Sequence, residues 1–138
     1  MRTVKLVGAT LVLALVAGFG AALGTSSTAQ AVTYDDYFTS TVGVTPVAVA
    51  LSPDGTKAYV ANRDSNSVSE VNAVTGELLR TIPAGDNPRA LALTADGTEL
   101  FVANFSGNSI TEIRISDGVT HNILVPSPTS IAISADNT

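Results

Sequence analysis

An all-β fold of tandem four-stranded antiparallel repeats is predicted for this 138-residue chain by three observations. The stretch that begins at Gly43 recurs at Gly85 without a gap. Within each copy, apolar or alternating runs are separated by turn residues roughly every 8 to 12 positions. No segment beyond residue 31 carries a sustained helical period.

The first 31 residues read as a targeting signal. Arg2 and Lys5 give a positive start, and residues 6–23 form an uncharged, mostly apolar run. Ala29, Gln30 and Ala31 supply the small-x-small triplet that a signal peptidase accepts, so cleavage is expected after Ala31. An uncleaved anchor is the rival reading, because spanning a bilayer takes about 18 residues. Gly8, Gly18, Gly20 and the triplet favour cleavage, with no stable membrane span afterwards. The predicted location is extracellular or at the cell surface.

Residues 32–42 are expected to supply the last strand of a preceding or closing unit, since Ser40-Thr41-Val42 resembles Arg80-Thr81-Ile82. Residues 43–84 form the first whole repeat. Residues 47–51 are apolar on both faces, as in a strand buried on both sides. Pro53, Asp54 and Gly55 make a tight turn, with Pro setting φ and Gly tolerating a positive one. Residues 57–62 are the second strand, and 63–66 a polar loop. Residues 67–72 alternate, as a third strand should, and 77–82 are the fourth. Residues 85–127 repeat this plan. Residues 128–138 match the head of a third copy, with its first strand at 131–133 and an offset shortened by two residues.

Four strands in about 42 residues is the arithmetic of a propeller blade. The particular residues carry a resemblance as well. They include Pro46, the run from Val47 to Gly55, Tyr59-Val60-Ala61-Asn62, Ser65-Asn66-Ser67-Val68, Thr75-Gly76 and Thr81-Ile82-Pro83-Ala84-Gly85. With their counterparts in the second copy they resemble the YVTN family of β-propeller repeats over residues 38–138. The resemblance implies an exported or surface protein of bacterial or archaeal type, with lactonase-like and haem-nitrite-reductase-like relatives and a seven-bladed ring. Seven such blades need roughly 290 residues. A partial product is therefore expected, the alternative being assembly of several copies through exposed blade edges.

Composition narrows the function. There are no cysteines, which removes disulfide scaffolds, thiolate metal sites and cysteine nucleophiles. Beyond residue 31 five basic residues (Lys57, Arg63, Arg80, Arg89 and Arg114) face twelve acids, a charge of −7. Nucleic acid and anionic lipid are disfavoured as partners, since both need clustered cations. No nucleophile elbow, phosphate loop or metal-binding helix motif occurs, so no catalytic, metal or cofactor residues are assigned. The three first strands carry no titratable group, with Arg89 the nearest charge.

His121 is the only histidine and aligns with Leu79; it reads as a rim side chain rather than a ligand or base. Asp54, Asp96 and Asp136 recur and read as turn caps rather than calcium ligands. Asn62 and Asn104 read as strand-end residues that satisfy loop backbone. The sequon at Asn104-Phe105-Ser106 is not expected to be used. Identities between copies serve the fold, so differences point to function. Arg63 against Phe105, Asp64 against Ser106 and Val47 against Arg89 are the clearest. Arg63, Arg89 and Phe105 are the candidate partner contacts. The expected activity is a binding or interaction scaffold for a protein or cell-envelope ligand. The alternative is a piece of a lactonase-like or redox propeller enzyme whose catalytic residues lie in other blades.

Overall fold

The computed structural model describes residues 3–7, 10–14 and 37–136. The expected cleavage triplet lies outside them. The strands β1 (Thr3–Val7), β2 (Thr10–Ala14) and β3 (Tyr37–Thr41) form one antiparallel sheet in the order β1-β2-β3.

Two four-stranded antiparallel sheets follow. The first comprises β4 (Pro46–Leu51), β5 (Lys57–Asn62), β6 (Ser67–Asn72) and β7 (Leu78–Pro83), paired in chain order. The second comprises β8 (Pro88–Leu93), β9 (Glu99–Asn104), β10 (Ser109–Arg114) and β11 (Thr120–Leu124), again neighbour to neighbour. These are the two blades, and each strand lies within a residue or two of its sequence-predicted position. Innermost strands β4 and β8 lie beside each other, which sets the blades face to face. Among the described residues there is no helix.

The blades are joined by an apolar seam. Tyr59, Val68 and Ile82 of the first blade pack with Leu100, Val102 and Ile113 of the second, all nearly or fully buried. The opposite face of the first blade buries Ala58, Val60, Val71 and Ala73 against Val42, just past β3. On the far face of the second blade, Phe101 and Ile110 take the places of Tyr59 and Val68. There they line an open cleft of about 500 Å³ together with Ile131 and Ile133.

Polar links hold the same seam at both ends. Asn66 has a positive φ of 51°, its backbone oxygen accepts from Ala84 N at 2.9 Å, and its Oδ1 accepts from Asn87 N at 3.0 Å. Asn108 repeats this with Val125 and Ser127. Asn66→Ala should lose the left-handed preference and one hydrogen bond, about 2 kcal/mol in all, read by chemical denaturation. Toward the other end, buried Glu70 is bridged by Lys57 at 2.7 Å and by Arg80, whose Nη2 also donates to the Ile115 carbonyl of the second blade.

The Asp turns are built as expected. Gly55 donates to the Ser52 carbonyl at 2.9 Å and has φ 70°. The Asp54 carboxyl is held down at about 2, below the ordinary 3.8, first by the Ser52 hydroxyl and then by the Thr56 amide and hydroxyl. Asp96 is lowered likewise by Thr94 and Thr98. A carboxyl whose folded pKa is depressed stabilises fully above its unfolded pKa, and that stabilisation is lost as pH falls. The thermal midpoint should therefore drop between about pH 4 and pH 2, and Asp54→Asn should flatten that drop. A parallel fall in both proteins would contradict this.

Four expectations need correction. Residues 131–133 do not form a strand. In the whole blades this stretch pairs with a second strand, and no described residue pairs with it here. The first strands begin at Pro46 and Pro88, so Arg89 lies inside β8 rather than before it. A bulge there, between Pro88 and Ala90, is matched by one between Pro46 and Ala48. A further bulge at Glu70/Val71 makes Leu79 an extra residue in β7. Beyond it the copies run one residue out of step, so His121 pairs with Glu112 as Arg80 pairs with Glu70, and Arg80 rather than Leu79 is its counterpart. Finally, Asn62 and Asn104 do not serve loop backbone. Both are fully buried and donate Nδ2 to hydroxyls of the next strand, Ser67 and Ser69 in one blade, Ser109 and Thr111 in the other.

Candidate binding rim

At one end of each blade, the segment entering the first strand meets the loop between the second and third strands. Backbone bonds join the two: Arg63 N to Thr45 O at 2.8 Å, and Phe105 N to Asn87 O at 2.9 Å. Thr45 and Asn87 both have positive φ, 55° and 58°, just before Pro46 and Pro88. The bulges at Val47 and Arg89 follow directly. A bulge re-aims its side chain out of the pleat, and here it does so at the rim.

The two rims are chemically unlike. In the first blade Val47 occupies the bulge. Arg63 Nε sits 2.8 Å from Asp64 Oδ1, and the Thr45 hydroxyl donates to the other Asp64 oxygen. These two partners, Arg63 first, lower the Asp64 pKa. The cation is thus neutralised by its neighbour. In the second blade the guanidinium of Arg89 stacks 3.9 Å from the centroid of the Phe105 ring. Its Nε donates to Asn87 Oδ1 at 3.1 Å. Asn87 therefore fixes both members of the pair, since its carbonyl accepts from Phe105 and its side chain from Arg89. A Cβ on Gly107 would lie 2.9 Å from Asp86 N, so glycine lets this loop lie against the entering segment.

The structure brings Arg89 and Phe105 together and places Arg63 with Asp64 in the other blade. Sequence comparison singled out Arg63, Arg89 and Phe105 but passed over Asn87. The exchange of Thr45 for Asn87 at the residue before proline was the available signal. His121 is well exposed, 3.5 Å from Glu112, beside a small cavity of about 210 Å³. Among the described residues no three His, Cys, Asp or Glu are grouped to hold a metal ion, and no helix is long and apolar enough to cross a membrane. Asn104 of the sequon is buried and its amide is committed to Ser109 and Thr111. Asp136 lies in a turn.

What this geometry can do is present one oriented cation on an aromatic shelf. Three comparisons bear on its setting. The family model described as "Lactonase, 7-bladed beta-propeller" matches residues 16–132. No curated protein is a significant match. Among solved structures, the chain is similar to the hydrazine synthase of Kuenenia stuttgartiensis, at 30% identity and TM-score 0.65, over 67% of this chain and 27% of that one. A functionally unknown protein of Desulfotomaculum acetoxidans DSM 771 gives 22% identity and TM-score 0.63, over 72% and 35%. Dihydro-heme d1 dehydrogenase NirN gives 24% identity and TM-score 0.57, over 62% and 19%. The last two likenesses are of fold alone. The chain spans about a third or less of each of these structures.

Proposed function

Because this chain belongs to the lactonase family of seven-bladed β-propellers, we propose that its two blades are part of an exported propeller that binds a ligand or protein through the rim of the second blade. The observation that carries this reading is the contrast between the rims. The bulge and the bond from loop to entering segment recur in both blades, yet one rim neutralises its cation and the other holds a cation ready on Phe105. A residue kept for folding would recur, as Asp54 and Asp96 do. Export rests on the positive, apolar and small-x-small segments of residues 1–31, and the YVTN-like repeat string accords with a surface location. A protein or envelope ligand suits a chain of charge −7 better than nucleic acid does.

A second reading is supported by the family itself and by the enzymes among the structural neighbours. Here the blades belong to a lactonase-like or redox propeller, with the reacting groups on other blades. Two measurements test the proposal. Expressed in a bacterial host, the exported chain should have the mass of a protein starting at Val32. Retention of residues 1–31 would count against export. Purified chain should not hydrolyse γ- or δ-lactones in a pH-stat. Turnover that disappears on rim substitution would place reacting groups on these blades and replace the scaffold reading.

A further inference from the structure

We propose that Arg89, stacked on Phe105 and held by Asn87, is the anion-binding point of the rim and takes a carboxylate group of the ligand. The inference rests on the reading of the rim as the recognition face and adds the chemistry that is recognised there.

Beyond residue 31 the chain has five cations and twelve acids. Lys57 and Arg80 pair with Glu70, Arg63 with Asp64, and Arg114 with Asp117. Among the described cations beyond residue 31, Arg89 alone makes no ion pair, although acids are in excess. It is also held on two sides. One face of its guanidinium lies on Phe105, and its Nε is occupied by Asn87. Asn87 is in turn locked by Asn66 and by Phe105 N. An arginine so held has less rotamer freedom to lose when a ligand arrives, which lowers the entropic cost of binding.

With Nε occupied, the edge left for a ligand is the pair of Nη groups. Two parallel N–H donors in one plane match the two oxygens of a carboxylate, a match that a lysine cannot reproduce. Stacking on the ring keeps water from one face of the ion and strengthens the bond. A carboxylate fits better than a phosphate because a monoanion meets less repulsion from a chain of charge −7 than a dianion does. The first blade is an internal control. Its bulge carries Val47, and its rim cation already has a carboxylate in Asp64.

The test is an NMR titration of the purified chain with sodium acetate at constant ionic strength, observing the arginine Nε–H groups and the Phe105 ring. Inorganic phosphate and neutral acetamide form the other arms. Saturable shifts confined to Arg89 and Phe105 are expected with acetate and none with acetamide. Arg89→Lys should weaken acetate binding by about tenfold and Phe105→Leu by severalfold, with the other arginines unchanged. Acetate shifts spread alike over all the arginines, or unchanged binding in Arg89→Lys, would overturn the proposal. So would phosphate saturating the site at lower concentration than acetate. These failures leave the rim as a recognition face. Lactone turnover lost on rim substitution would instead remove the scaffold reading beneath it.

Discussion

Tyr59→Ala is expected to cost about 3–5 kcal/mol of folding stability, the usual range for truncating a buried aromatic. Tyr59 is 1% exposed and sits at the centre of the seam between the blades, clustered with Val68, Ile82, Leu100, Val102 and Ile113. Its burial is chemical as well as geometric. Desolvation, with the Glu70 charge behind it, pushes the phenol up to about 12. A loss of this size approaches the total stability of a small domain, so the variant is expected to be largely unfolded at room temperature. Tyr59→Leu keeps most of the apolar volume and should cost less, about 1–3 kcal/mol, and remain measurable. Phe101 is the matched control. It occupies the same place in the second blade but lines the open cleft, and it is only partly buried. Phe101→Ala should cost about half as much, because less area returns to water. Chemical denaturation of the three variants is the measurement. Equal losses at Tyr59 and Phe101 would show that the seam is not where the blades are held.

Gly85→Ala is the second large effect, about 2–3 kcal/mol from overpacking. An added Cβ would lie 2.6 Å from Asn104 Nδ2 and 2.7 Å from its Cγ. Asn104 cannot retreat, because it is fully buried and donates to Ser109 and Thr111. Gly85 itself donates to the Thr111 hydroxyl at 3.2 Å, so the backbone is tied to the same group. The cause is therefore a single steric conflict. Removing the asparagine as well should relieve it, and the Gly85→Ala/Asn104→Ala double variant should lose clearly less than the sum of the two single losses. Gly55→Ala provides the contrast. That glycine has φ 70° with nothing within 4 Å, so its cost should be about 1 kcal/mol, from backbone conformation alone. Additive losses at Gly85 and Asn104 would contradict the close approach.

Much of this fold is legible in the residues. The repeat between Gly43 and Gly85, the alternation in each run and the Pro53-Asp54-Gly55 turn place the eight blade strands almost to the residue, because each depends on local chemistry. Asp54 and Asp96 were readable as turn caps for the same reason. Features that depend on pairing were not. The bulges at Val47 and Arg89 insert one residue opposite the following strand, and no local pattern announces them. The extra residue Leu79 shifts register silently, so a gapless alignment set His121 against the wrong partner. Residues 131–133 carry a strand's composition, but a strand also needs a neighbour to bond. Asn62 and Asn104 stand at strand ends in the sequence, yet the packing buries them. At the rim, comparing copies found Arg89 and Phe105 separately. That they stack, and that Asn87 holds them, depends on the bulge and on the Gly107 approach.

The central claim is that residues shared by the copies hold the blades together, while those that differ at the rim serve recognition. Exchanging Arg89→Val, Phe105→Arg and Ser106→Asp together moves three rim residues of the first blade into the second. Thermal unfolding and the acetate titration can be read on this one variant. The account predicts a midpoint within about 2 °C of the parent, as for surface changes worth a few tenths of a kcal/mol, together with loss of the acetate response. A midpoint lowered by about 10 °C or more, or an acetate response that persists, would contradict it.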